Sequence, residues 1–109
     1  MIRFYYHPTP NPQKISMMLE ASGLPYEVLP VDTRKGQQHD PAFRAINPNG
    51  KVPAIVDTDG PGGKEVRVFD SNAILLYLAE KSGKFLGQPE DRGEFLSWLM
   101  FIATGLGPF

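Results

Sequence analysis

The sequence predicts an α/β domain in which strands and helices alternate, and three observations predict it. A β-branched and aromatic run, Ile2 to Tyr6, is followed by apolar residues at helical spacing and then by a second strand-like run, Tyr26 to Val31. Asn11-Pro12 and Asp40-Pro41 repeat one signature, a capping side chain followed by a proline suited to the first helical position. Two short apolar runs, 54–56 and 66–69, flank Asp59-Gly60-Pro61-Gly62-Gly63, a turn that closes an antiparallel hairpin.

Each element has its own reason. Ile2 to Tyr6 is a strand, and the prolines at 8 and 10 make residues 7–11 a loop. Asn11 caps a helix with Pro12 first inside it. Ile15, Met18, Leu19 and Ser22 share one face of that helix, and Gly23 ends it in the left-handed conformation. Tyr26 to Val31 is a strand that Pro30, lacking an N–H, sends to a sheet edge. Residues 33–40 are polar and loop-like. Asp40-Pro41 opens a short helix through Ile46, which Asn47-Pro48-Asn49-Gly50 stops. After the hairpin, Ser71 begins a helix whose Ala73, Leu76, Tyr77 and Glu80 share a register. Ile74 and Leu78 widen its apolar face, and Gly83 caps its end. The first three elements make a parallel, right-handed βαβ unit. The complete order, β-α-β-α-β-β-α around a mixed four-stranded sheet, matches a thioredoxin-like fold.

A last helix starts at Pro89-Glu90-Asp91, with acidic residues placed to meet the dipole. It carries Phe95, Leu96, Trp98, Leu99, Met100, Phe101 and Ile102, apolar almost all round, and such a helix requires burial on several sides. Only Gly105-Leu106-Gly107-Pro108-Phe109 closes the sequence. The expectation is the front part of a longer protein, or a chain that pairs with another. On its own it should expose the Phe95 to Ile102 surface and self-associate.

Composition narrows the function. The chain has 109 residues, one domain's worth, with 41% hydrophobic and 21% charged residues and a net charge of −1. No basic face for a nucleic acid or an acidic membrane appears. There is no cysteine, which excludes a disulfide framework, a Cys-rich metal site and a protein thiol nucleophile. Any sulfur chemistry must come from the ligand. His7 and His39 stand alone in loops without carboxylates at ligand spacing, so no metal is expected. The longest apolar run, Trp98 to Ala103, is far short of a membrane span of about 18 residues. Arg3 interrupts the N-terminal apolar stretch, and the expected location is cytoplasmic.

Three motifs carry a resemblance: Thr9-Pro10-Asn11 after the first strand, Asn47-Pro48-Asn49-Gly50-Lys51-Val52-Pro53 entering a strand, and Asp70-Ser71-Asn72-Ala73-Ile74 opening the apolar helix. In this order and spacing they resemble the glutathione-binding N-terminal domain of cytosolic glutathione transferases. With Gly36-Gln37-Gln38, the match is nearest the bacterial nu class, related to the yeast nitrogen-regulator prion protein. The resemblance implies that residues 1–85 form the thioredoxin-like glutathione-binding domain. Residues 86–109 then form a linker and the start of the family's all-helical C-terminal domain, which is truncated.

What the resemblance implies for single residues has a physical reading in each case. Val52 pairs its backbone with the cysteinyl residue of glutathione like an added strand, and Pro53, through a cis peptide, turns those groups outward. Ser71, at a helix N-terminus, takes the γ-glutamyl carboxylate, and Asp70 takes the ammonium. Gln38 and Lys51 serve the glycyl end. Thr9 and Asn11 face the sulfur; their donors and the helix terminus lower a thiol pKa from its usual value of about 8.5. Plainer readings remain open beside these. Asn-Pro-Asn-Gly is also a helix stop, Asn11, Asp70 and Ser71 are also good N-caps, and Gln38 and Lys51 are also solvated loop residues. Tyr6 falls near the position that tyrosine-type classes use on the thiol, although Thr9-Pro10-Asn11 fits the class that does without it.

The implied activity is that of a glutathione transferase or glutathione-dependent disulfide-bond oxidoreductase. Glutathione is its cosubstrate, an electrophile or disulfide is its second substrate, and the full-length form is a homodimer, with no nucleic acid and no membrane. The alternatives are a non-catalytic glutathione-transferase-like binding or regulatory module, and an inactive N-terminal fragment.

Overall fold

Side-chain alternation along the strands sets two faces of one sheet. Strand β1 (Ile2–Tyr6) points Ile2 and Phe4 to one side and Tyr5 to the other. The computed structural model describes residues 1–84 and 88–101, with the backbone alone at 99–101. After β1 come helix α1 (Pro10–Ser22), strand β2 (Tyr26–Pro30), helix α2 (Pro41–Arg44) and strands β3 (Ala54–Asp57) and β4 (Val66–Phe69). Helices α3 (Ser71–Ser82) and α4 (Arg92–Phe101) complete the described chain. The sheet order is β2-β1-β3-β4, with β1 parallel to β2 and antiparallel to β3, and β3 antiparallel to β4. The expected mixed four-stranded, thioredoxin-like arrangement is therefore present, with the Pro30 strand at one edge and the hairpin at the other.

Both faces of the sheet are covered, and central β3 is buried along its whole length. On one side Ile2, Phe4 and Ile55 meet Ile15 and Leu19 of α1 and Ile74 and Leu78 of α3. On the other, Val31, Phe43 and Ala54 make a smaller cluster with Tyr5, Ile46 and Val52. Val52 is thus half-buried against this cluster at the sheet's end, which ties the turn that carries it to the α2 side of the molecule.

Three local expectations are corrected. The N-cap of α1 is Thr9, and Pro10, not Pro12, takes the first helical position. Both prolines fit a first turn whose N–H groups have no intrahelical partner, so the sequence rule could not choose between them. Residues 33–40 are two short 3₁₀ turns, Thr33–Lys35 and Gln37–His39, and not open loop. Asp32 organises the first by accepting the N–H of Arg34 at 3.0 Å. Finally, the buried face of α3 is Ser71, Ile74, Leu78 and Ala79, while Ala73 and Glu80 face solvent. This helix is apolar almost all round, so its period leaves the facing side undetermined; the sheet selects the branched pair at 74 and 78.

Helix α4 follows a 3₁₀ turn at Pro89–Asp91. Trp98 is 59% exposed, while Phe95 and Leu96 are half-buried. The side chains of Leu99, Met100 and Phe101, and all of Ile102, Gly105-Leu106-Gly107-Pro108-Phe109 and the boundary at residues 85–86, lie outside the described residues.

Candidate functional site

The chain reverses between α2 and β3 through Asn47-Pro48-Asn49-Gly50, and the residues show why this is a built turn rather than a simple helix stop. Asn47 is 2% exposed. Its Nδ2 donates to Lys51 O at 2.8 Å, and its Oδ1 accepts the N–H of Asn49 at 3.0 Å. A buried amide satisfied at both ends fixes the backbone on either side of it. Gly50 adopts φ 63, and a Cβ there would stand 3.2 Å from Gln38 O and 3.3 Å from Arg44 Nη2. Position and conformation both call for glycine. The turn delivers Lys51, Val52 and a cis Val52–Pro53 peptide to the mouth of a cleft.

The second wall is the start of α3. Asp70 caps this helix: its Oδ1 accepts from Asn72 N at 2.9 Å and Ala73 N at 3.4 Å. Its backbone sits at φ 75, ψ 123, a region that non-glycine residues avoid at a cost of roughly 1–3 kcal/mol. Asp70 alone among the described non-glycine residues has positive φ. Capping uses one carboxylate oxygen and the N–H groups at 72 and 73. It leaves Oδ2 and the N–H of Ser71, at the positive end of the helix, unengaged among the described residues.

The third wall is the first turn of α1. Pro10 and Pro12 have no N–H, so within positions 10–12 Asn11 alone carries a backbone donor. Gln13 already donates to Thr9 O at 3.1 Å. Thr9 makes no side-chain cap to α1; its Oγ1 donates weakly to His7 O at 3.4 Å.

These walls enclose a cavity of about 360 Å³ lined by Asn11, Asn47, Asn49, Lys51, Val52, Pro53, Phe69, Asp70, Ser71 and Asn72. Six of the eight candidate residues therefore share one cavity: Asn11, Lys51, Val52, Pro53, Asp70 and Ser71. Thr9 and Gln38 are outside its lining. Gln38 is nevertheless a neighbour, through its carbonyl against Gly50, and its side-chain Oε1 is buried without a partner. Tyr6 is also outside; its ring packs edge-on against Phe4 with centroids 5.5 Å apart and adds to the main core. Asn47, Asn49, Phe69 and Asn72 were not singled out as site residues, although all but Phe69 lie within the quoted motifs. A polar residue at the hinge of a sharp turn was the available signal for Asn47. Phe69 gave none, because an aromatic in a strand is ordinarily core. The lining has one cation, one carboxylate, amides and one exposed ring, which suits a zwitterionic, peptide-like ligand. Among the described residues no group of three or more His, Cys, Asp or Glu could hold a metal.

A second polar cluster lies at the far end of β3. Asp57 is fully buried and receives Tyr77 Oη at 2.6 Å, Lys81 Nζ at 2.8 Å and Asp59 N at 3.0 Å. Burial pushes its carboxyl up, but the Lys81 ammonium, the Tyr77 hydroxyl and the Asp59 N–H outweigh that and hold it below the usual carboxylate range. Burial and the adjoining Asp57 carboxylate push the Tyr77 phenol well above its ordinary value. This cluster pins the hairpin to α3; none of its residues lines the cavity.

Comparison with known proteins gives concordant matches. The family described as glutathione S-transferase, N-terminal domain, matches residues 9–81. The disulfide-bond oxidoreductase YfcG of Escherichia coli is 48% identical over 110 residues, covering 99% of this chain and 51% of that protein. The protein URE2 of Candida glabrata is 33% identical over 112 residues, covering 96% of this chain and 31% of that protein. The crystal structure of a glutathione transferase from Pseudomonas putida, with one glutathione disulfide bound per subunit, superposes with a TM-score of 0.94 at 48% identity. It covers 98% of this chain and 47% of that one. The chain thus spans about half the length of YfcG and of the Pseudomonas putida structure.

Proposed function

Because this chain belongs to the glutathione S-transferase family, through its N-terminal domain, we propose that it binds glutathione in the 360 Å³ cavity and stabilises the bound thiolate. The observation that carries this reading is the convergence of Asn11, Lys51, Val52, Pro53, Asp70 and Ser71, from three separate segments, on one cavity. The backbone of Val52 pairs with the cysteinyl residue, Ser71 with its free N–H takes the γ-glutamyl carboxylate, and Asp70 Oδ2 takes the ammonium. Lys51 attracts the glycyl carboxylate, with Gln38 beside it. Asn11, with Thr9 adjoining, donates to the sulfur and favours the thiolate over the thiol.

The chemistry that follows belongs to the ligand, since these 109 residues contain no cysteine. In disulfide reduction, the glutathione thiolate attacks one sulfur of a substrate disulfide. A mixed disulfide forms and the other sulfur leaves as a thiolate. A second glutathione then attacks the mixed disulfide, giving glutathione disulfide and the second substrate thiol. This is the reaction class for which YfcG is named, and the Pseudomonas putida relative holds glutathione disulfide. Conjugation to an electrophile would use the same thiolate. Residues 1–85 serve as the glutathione-binding domain and 86–109 as the linker and first part of a helical domain. We assign the protein to the cytoplasm and its full-length form to a homodimer.

Calorimetry with glutathione tests the reading. The chain should bind, and Asn11→Ala should bind with less of the ligand present as thiolate by ultraviolet absorbance. No binding by the unaltered chain would sink the proposal. Turnover of hydroxyethyl disulfide or chlorodinitrobenzene separates an enzyme from a module that holds glutathione without reaction.

A further inference from the structure

We infer that Arg44 is a positioning residue that couples the Gln38 loop to the Lys51-Val52-Pro53 turn and so sets how tightly the two together grip one ligand. The inference rests on the glutathione reading of the cavity. Arg44 Nη1 donates to Pro48 O at 3.2 Å, and Nη2 lies 3.3 Å from His39 Nδ1. A guanidinium only donates, so His39 Nδ1 is the acceptor. The same group passes Gly50, where an added Cβ would stand 3.3 Å from Nη2. One side chain therefore touches both residues 37–39 and residues 47–50.

No backbone bond does the same work. Gln37 O accepts from Asp40 N at 3.1 Å within the first loop, and Asn47 O accepts from Gly50 N at 2.9 Å within the second. Among the described residues, no backbone hydrogen bond runs from 37–39 to 47–53. Between the loops lies only α2, four residues long. The planar fork of arginine can serve two acceptors in divergent directions at once; the single ammonium of lysine keeps the charge but not that geometry.

The experiment measures glutathione affinity by calorimetry on the full chain and on Arg44→Ala and Arg44→Lys, with melting followed in parallel. Arg44→Ala should bind on the order of threefold to tenfold more weakly, as expected for lost hydrogen bonds that preorganise a site. Arg44→Lys should not restore the affinity. In amide spectra, the Gln38 and Val52 signals should both respond to glutathione in the unaltered chain, and only Val52 should respond in Arg44→Ala. Unchanged affinity in Arg44→Ala, or full recovery in Arg44→Lys, overturns the inference and leaves the glutathione reading standing. Absence of binding by the unaltered chain overturns the glutathione reading itself, and the inference with it. If Arg44→Ala does not fold, His39→Ala removes one arm only; weaker binding at unchanged melting temperature supports the coupling, and unchanged binding overturns it.

Discussion

Asp70 is the residue at which an observed structural role and the proposed ligand contact meet. Its carboxylate caps α3 through Oδ1, and its backbone tolerates a positive φ because that cap and the bond from Ile74 N to Asp70 O at 3.0 Å hold it there. The expectation of a plain N-cap and the proposal of a ligand contact are therefore compatible, since capping occupies Oδ1 and leaves Oδ2 for the proposed contact. The substitution Asp70→Asn separates them. Asparagine caps nearly as well as aspartate and accepts unusual backbone angles, so the melting temperature should hardly move. Pairing with the ligand ammonium is lost, and glutathione affinity should fall about tenfold or more by calorimetry, as for a charge-assisted hydrogen bond. Equal affinity in the two proteins would count against the pairing. Asn47 is the contrasting residue: it lines the cavity, yet both ends of its amide are committed to the turn. Its contribution is to place Lys51 and Val52.

At the level of elements, α3 contributes Ile74 and Leu78 to the main core. Leu78 is fully buried against the sheet and Ala73 faces solvent. Leu78→Ala should destabilise the fold by about 2–5 kcal/mol in denaturant titration, whereas Ala73→Ser should change it by about 0.5 kcal/mol or less. The reverse ranking would restore the register read from the sequence. The hairpin depends on the same helix through Asp57, Tyr77 and Lys81. Asp57 has a carboxyl pKa below that of the unfolded chain. Its stabilisation is therefore present above the unfolded value of about pH 4 and is lost as pH falls through the lower folded value. In acid titrations of stability, Asp57→Asn should remove part of that acid dependence and should lower stability at neutral pH, because Lys81 keeps its bond to Asp59 O but loses its carboxylate partner. An unchanged acid limb would contradict the assignment.

For the molecule as a whole, α4 sets the expected behaviour in solution. Trp98 is largely exposed although the helix is among the most apolar segments of the chain. Relatives such as YfcG are about twice as long as this chain. The 109-residue chain by itself should self-associate, with a light-scattering mass that rises with concentration. A monodisperse monomer at high concentration would refute this.

The sequence by itself determined the order of elements, the edge position of β2, the glycine helix ends and the three motifs whose residues meet in the cavity. The first three follow from local rules: a missing N–H in proline, a missing Cβ in glycine, a period of two or of 3.6. The motifs were legible through their resemblance to a known family. Tertiary structure alone decided the rest. It chose between Thr9 and Asn11 as the cap, since two prolines offered equally good starts. It chose the buried side of α3, since a helix apolar all round has no preferred side until a sheet is set against it. It also brought Phe69 into the cavity wall and Arg44 between two loops. Those placements depend on contacts between segments distant in sequence, or on the path of a turn, and no local pattern encodes either.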